Sequence, residues 1–182
     1  DYDWMLSANT LMVLSLAGNN SARDCGYFER QAFASAVSTS MEYVNTPSEI
    51  WVRRMRNYGG AAVVGATVSA VVPRNATANS TRRLGDANQT SENRILVNYT
   101  LELRLQMYWP SDDIEAFDDI VLEDMRSMVA NATHFDDALA LAAGKHNATA
   151  LYGASMDVAA TLREIERSWR CLLYTSDAAD DT

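Results

Sequence analysis

From Ile95 to Trp109 the chain alternates. Val97, Tyr99, Leu101, Leu103, Leu105, Met107 and Trp109 occupy one parity, and Asn98, Thr100, Glu102, Arg104 and Gln106 the other. Successive side chains of a β-strand point to opposite faces, so the pattern predicts a long antiparallel strand with one buried and one wet face. Pro110 ends the strand, and Ser111 stands where it can cap a helix. Asp112, Asp113 and Glu115 in the first turn suit the positive end of a helix dipole. Ile114, Phe117, Val121, Met125 and Met128 then recur at steps of three and four, which predicts an amphipathic helix.

The remaining elements are placed around this strand and helix. Leu11 to Ala17 reads as a strand, Phe28 to Met41 as a helix with Phe33, Ala36, Val37 and Met41 on its buried stripe, and Ile50 to Met55 as a second strand. Gly59-Gly60 signals a turn before a further extended segment, Ala61 to Val72, and Pro73 to Asn93 has the composition of an exposed loop. Thr133-x-x-Asp136 can open a short helix that Gly144 stops, and Leu151 to Val158 reads as the last strand. Leu162 to Trp169 fits helix and strand alike. The expected fold class is α+β, a ferredoxin-like βαββαβ antiparallel sheet with helices on one face and a long loop at about 73–93. One module over residues 9–160 is expected, with a ragged stretch at 1–8 and an extension at 161–170.

Composition narrows the function classes. Hydrophobic residues at 48% support a packed core. A net charge of −9 argues against a phosphate backbone as ligand, so nucleic acid is not an expected partner. No run approaches the roughly 20 apolar residues that span a bilayer. The first residue is Asp, so further sequence upstream is expected, and any membrane anchor would lie outside this stretch.

The sequon Asn-X-Ser/Thr occurs at Asn19, Asn75, Asn79, Asn88, Asn98, Asn131 and Asn147. Chance gives about two such matches in a chain of this composition. The excess points to N-glycosylation, and Asn75, Asn79 and Asn88 crowd into the Pro73 to Asn93 loop, where a glycan disturbs no packing. Cysteines are only Cys25 and Cys171. Residues Cys171 to Asp181 read CLLYTSDAADD, which resembles the translation of a transposase adapter used in sequencing libraries. Residues 171–182 are therefore expected to be non-native, which leaves Cys25 without a pairing partner in this sequence.

Searches for reactive chemistry find little. There is no G-x-G-x-x-G and no Gly-Lys-Ser/Thr for phosphate, no G-x-S-x-G for a nucleophile, and no calcium loop among Asp112, Asp113, Glu115, Asp118, Asp119, Glu123 and Asp124. His134 and His146 stand in no metal-ligand spacing. No catalytic, cofactor-binding or metal-binding residue is assigned. Trp4, Trp51, Trp109 and Trp169 could stack on sugars, although tryptophans at strand positions more often serve the core.

Phe33-Ala-Ser-Ala-Val, the strand with Ile50 and Val52, and Ser80-Thr-Arg-Arg-Leu84 before Val97-x-Tyr-Thr begin a recognisable pattern. Phe135-x-x-Ala-Leu and the closing Gly153-Ala-Ser-Met-Asp-Val complete it. Together they resemble secreted modules repeated in large surface proteins of algae and other protists, similar in plan to SEA domains. The Gly-Ser-Val-Val-Val site of self-cleaving members is absent, and Gly65-Ala-Thr-Val-Ser is a poor substitute, so autoproteolysis is not expected. The resemblance implies a non-catalytic structural or adhesive module of a secreted or cell-surface glycoprotein. Its implied partners are neighbouring extracellular domains or repeats, glycans or surface proteins. The alternative is a carbohydrate- or peptide-binding accessory domain of a larger extracellular enzyme or receptor, with the sheet face or an exposed Trp as the binding surface.

Overall fold

A computed structural model describes residues 4–59, 93–104 and 114–175. In chain order these hold β1 (Trp4–Ser15), α1 (Tyr27–Ser40), β2 (Ile50–Asn57), β3 (Arg94–Arg104), α2 (Ile114–Ala130), α3 (Ala132–His146), β4 (Ser155–Met156), α4 (Val158–Ser168) and β5 (Arg170–Thr175). The strands form one antiparallel sheet in the order β2-β3-β1-β4, with β5 also pairing β1. The architecture is α+β.

The alternation in β3 decides which face is buried. Ile95, Val97, Tyr99, Leu101 and Leu103 pair with Leu14, Met12, Thr10, Ala8 and Leu6 of β1. All ten are buried. Against them lie Phe33, Ala36 and Val37 of α1, Phe117, Val121 and Met125 of α2, and Phe135, Leu139 and Ala143 of α3. The alanines at 32, 36, 138 and 142 keep the layer thin, so that Phe33 meets Tyr99 edge-on at 5.1 Å and Phe135 at 6.3 Å. Thr10 and Tyr99 are polar members of this core, and among the described residues neither hydroxyl completes a hydrogen bond of ordinary geometry. Burial pushes the Tyr99 phenol well above its ordinary value, with the Thr10 hydroxyl as the opposing influence.

Helices were expected on one face only, and α4 departs from that. Its Ala160 packs on Val13 and Leu96, a pair on the other parity of the sheet, with Leu11 and Tyr58 beside them. Tyr58 donates to Glu164 at 3.0 Å, and Arg94 lies over the Tyr58 ring while pairing with Asp157 at 2.9 Å. On its other flank α4 sends Ile165 into the main core. The helix thus wraps the β1 edge.

Along that edge β4 pairs Leu14 and Ser15, and β5 pairs Trp4 through Asn9. Between them the fully buried Thr161 takes the place of a strand. Its Oγ1 accepts from the Val13 N–H at 3.0 Å and donates to the Val13 carbonyl at 3.3 Å, which also accepts from Asp157 N at 2.9 Å. β4, α4 and β5 amount to one edge strand interrupted by a helix. The opposite edge, β2, carries a register shift between Val52 and Arg54 and the exposed Arg53, Arg54 and Arg56. Irregularity and charge of this kind discourage edge-to-edge pairing.

Several boundaries move. β1 starts at Trp4, inside the stretch expected to be ragged. Of Leu151 to Val158 only Ser155–Met156 is strand; Leu151 ends a 3-10 turn, Thr149–Leu151, and Val158 opens α4. Leu162 to Ser168 is helix, because Asp157 caps Ala160 N and Thr161 and Ile165 repeat at helical spacing. α3 runs through the exposed Gly144 and stops at Asn147, whose φ of 56° is the left-handed conformation that Asn tolerates. Arg170–Thr175, which includes residues expected to be non-native, is an edge strand on β1; such pairing uses main-chain groups of any sequence. The Ala61 to Val72 segment, the Pro73 to Asn93 loop up to residue 92, strand residues beyond Arg104, and the Ser111 cap lie outside the described residues.

Candidate functional site

Four sequon asparagines fall on described residues, and all four are exposed: Asn19, Asn98, Asn131 and Asn147. Asn19 follows Gly18, whose φ of 65° turns the chain out of β1. With Asn20, Arg23, Asn57, Tyr58 and Asn93 it borders a cleft of about 530 Å³. Asn131 occupies the junction of α2 and α3, and its side chain makes no cap hydrogen bond to α3. Asn147 ends α3, and the Tyr152 hydroxyl reaches its Oδ1 at 3.5 Å. Asn98 projects from β3 on the face opposite the main core. Asn75, Asn79 and Asn88 lie outside the described residues.

The hydroxyl two residues along differs from site to site. Thr133 and Thr149 are exposed, and Ser21 is half-buried, with its Oγ donating to Asp24 at 3.0 Å. Thr100 is 1% exposed. Its Oγ1 donates to Asn9 Oδ1 at 2.7 Å and accepts from Arg53 Nε at 3.2 Å, and Arg53 in turn lies 3.9 Å from Glu102. Alternation in β3 placed Thr100 on the wet face, yet this polar chain covers it.

Groups with reactive potential are held in structural work. Trp169 Nε1 donates to Asp118 at 3.0 Å. Asp124 accepts from the backbone of Glu42 at 2.9 Å and Tyr43 at 3.1 Å, which pins the turn after α1. Asp136 accepts from Met156 N at 2.8 Å and so ties β4 to α3. Burial raises both Asp124 and Asp136 above the usual carboxylate range, and these backbone donors oppose the shift. Sequence reasoning missed the clamps of Asp136, Asp157 and Glu164, whose partners are 20, 63 and 106 residues away.

His134 is exposed and lines a cleft of about 320 Å³ with Asp124 and Asn131, while His146 Nε2 lies 3.1 Å from Ser35 Oγ. The two histidines sit near opposite ends of α3. Among the described residues no group of three or more His, Cys, Asp and Glu could hold a metal ion. Cys25 is a free thiol pushed up to about 12, first by burial and then by Glu29 and Asp24, which leaves it protonated at neutral pH. No helix among the described residues is long and apolar enough to cross a membrane.

No family model, no curated protein and no solved structure matches this chain.

Among the described residues, Trp51 stands apart from the core. Trp51, expected inside by its place in a strand, is 52% exposed on β2. Beside it Met5, Asn45, Ser48, Glu102 and Arg104 line a cleft of about 330 Å³. An indole face next to amide, hydroxyl and charged groups can offer a sugar ring both stacking and hydrogen bonds.

Proposed function

We propose that this chain is a non-catalytic structural or adhesive module of a secreted or cell-surface glycoprotein. One observation carries the reading: every sequon asparagine on a described residue is exposed, at a turn, a helix end or the outer face of a strand. A glycan at any of these positions enters no packed layer. The engagement of Asp118, Asp124, Asp136, Asp157 and Glu164 in clamps between segments supports the same reading, since these carboxylates bond to the fold itself.

The plan we propose is ferredoxin-like, akin to SEA domains. Its support is the antiparallel order β2-β3-β1-β4, with α1 between β1 and β2 and helices between β3 and β4. In this plan β5 and α4 elaborate the last strand. Neighbouring repeats or domains of the same protein would be its partners.

Exposed Trp51 and the adjoining cleft favour a second reading, a carbohydrate-binding accessory domain. Expression behind a secretion signal in a glycosylating eukaryotic host tests the first. Removal of N-glycans should lower the apparent mass of the secreted chain by several glycans; secretion without any shift counts against it. Glycan-array binding that Trp51→Ala abolishes would favour the second.

A further inference from the structure

We propose that Asn98 accepts a glycan only before the sheet closes, whereas Asn131 and Asn147 stay open to transfer in the folded chain. This rests on the glycoprotein reading above and assigns an order of events to it. In transfer, the asparagine Nδ2 forms a C–N bond to the anomeric carbon of an oligosaccharide carried on a lipid diphosphate. The C–O bond to the diphosphate breaks, its electron pair leaves with the lipid diphosphate, and Nδ2 gives up one proton. The sequon demands Ser or Thr two residues on, so that hydroxyl must be open to the transferase together with the amide.

In β3 the period of two puts Asn98 and Thr100 on one face, but only the first is reachable. Asn98 is exposed, while Thr100 is 1% exposed, with its hydroxyl proton committed to Asn9 and a lone pair to Arg53. The backbone is committed too: Asn98 pairs with Leu11 of β1 on one side and Arg54 of β2 on the other. Binding this sequon as a free extended peptide requires both ladders and the Asn9–Thr100–Arg53 chain to open. These central strands carry the main core, so that opening approaches global unfolding.

Asn131 and Asn147 differ in both respects. Thr133 and Thr149 are exposed, and each asparagine flanks an end of α3. Helix ends open locally at the expense of few hydrogen bonds. In the folded chain the acceptor amide alone does not decide access; the buried hydroxyl of Thr100 does.

Purified oligosaccharyltransferase and its lipid-linked donor test this on the full chain made in a non-glycosylating host. One arm presents folded chain, the other chain diluted from urea directly into the reaction, and occupancy is read at each asparagine by mass spectrometry. Transfer to Asn98 should be at least tenfold lower in the folded arm, with Asn131 and Asn147 changing less than about twofold. Phe33→Ala, which loosens the core beneath Tyr99, should raise Asn98 transfer in the folded arm. Equal transfer to Asn98 in both arms overturns the proposal. Absence of transfer to any asparagine of the urea-diluted chain overturns the glycoprotein reading, and this proposal with it.

Discussion

Thr161→Val tests whether α4 completes the β1 edge. The substitution keeps the β-branched shape and exchanges the hydroxyl for a methyl group. Thr161 is fully buried, and its Oγ1 is the acceptor for Val13 N–H at 3.0 Å. The Val13 carbonyl retains Asp157 N at 2.9 Å, so the variant strands one buried donor and leaves the acceptor satisfied. An unsatisfied buried N–H costs about 1–3 kcal/mol. For a domain of this size about 2 kcal/mol corresponds to a fall in Tm of about 4–8 °C. Thr161→Ser retains the hydroxyl and loses a methyl, a change of about 1 kcal/mol. Urea unfolding followed by circular dichroism should place the variants in the order parent, Ser, Val, with an unchanged slope. A Val variant within about 0.5 kcal/mol of the parent, or a Ser variant less stable than Val, would refute the edge-capping role of Thr161.

Three further outcomes follow from buried groups. Thr10→Val combined with Tyr99→Phe removes two hydroxyls that complete no hydrogen bond of ordinary geometry among the described residues, so the double variant should match the parent or exceed it by about 1 kcal/mol in urea unfolding; a loss above about 2 kcal/mol would mean the hydroxyls are bonded. Asp124 and Asp136 have folded-state pKa values raised by burial, so their contribution to stability is full below the unfolded carboxylate value and is lost as pH rises through the folded one. Relative to the parent, Asp124→Asn with Asp136→Asn should therefore lower Tm near the ordinary carboxylate value of about 4 more than at neutral pH, and an equal effect at both would contradict the assignment. Cys25, raised to about 12, should react with iodoacetamide at pH 8 at least about a hundredfold more slowly in the folded chain than in urea, and equal rates would show an open thiol.

Legibility in the sequence followed the range of the interaction. Local period made β3, α1 and α2 readable, because Val97, Phe33 and Phe117 repeat with neighbours that share their face. The first half of β1 was hidden by Ser7, Asn9 and Thr10, polar residues that become intelligible only opposite Glu102, Thr100 and Tyr99. Gly144 looked like a stop, but at an exposed position it costs the helix little, and Asn147 supplies the left-handed residue instead. α4 had local signals in Asp157 and the spacing of Thr161 and Ile165, which the strand reading of Leu151 to Val158 obscured.

The candidate sites divide in the same way. Sequons are contiguous and could be found by inspection, whereas the burial of Thr100 depends on Asn9, 91 residues away, and on Arg53. The exposure of Trp51 depends on its sharing with Thr100 the sheet face opposite the main core, which the strand register reveals.

The central claim is that this polypeptide matures outside the cytosol with sugars on its surface. Secreted chain from a eukaryotic host, deglycosylated enzymatically in heavy-oxygen water, reports each former carrier as a labelled aspartate in its peptide. Labelled aspartate at positions 131 and 147 is predicted, with 98 labelled only in chain glycosylated during synthesis. Unlabelled asparagine at every sequon of an exported, folded chain would contradict the account.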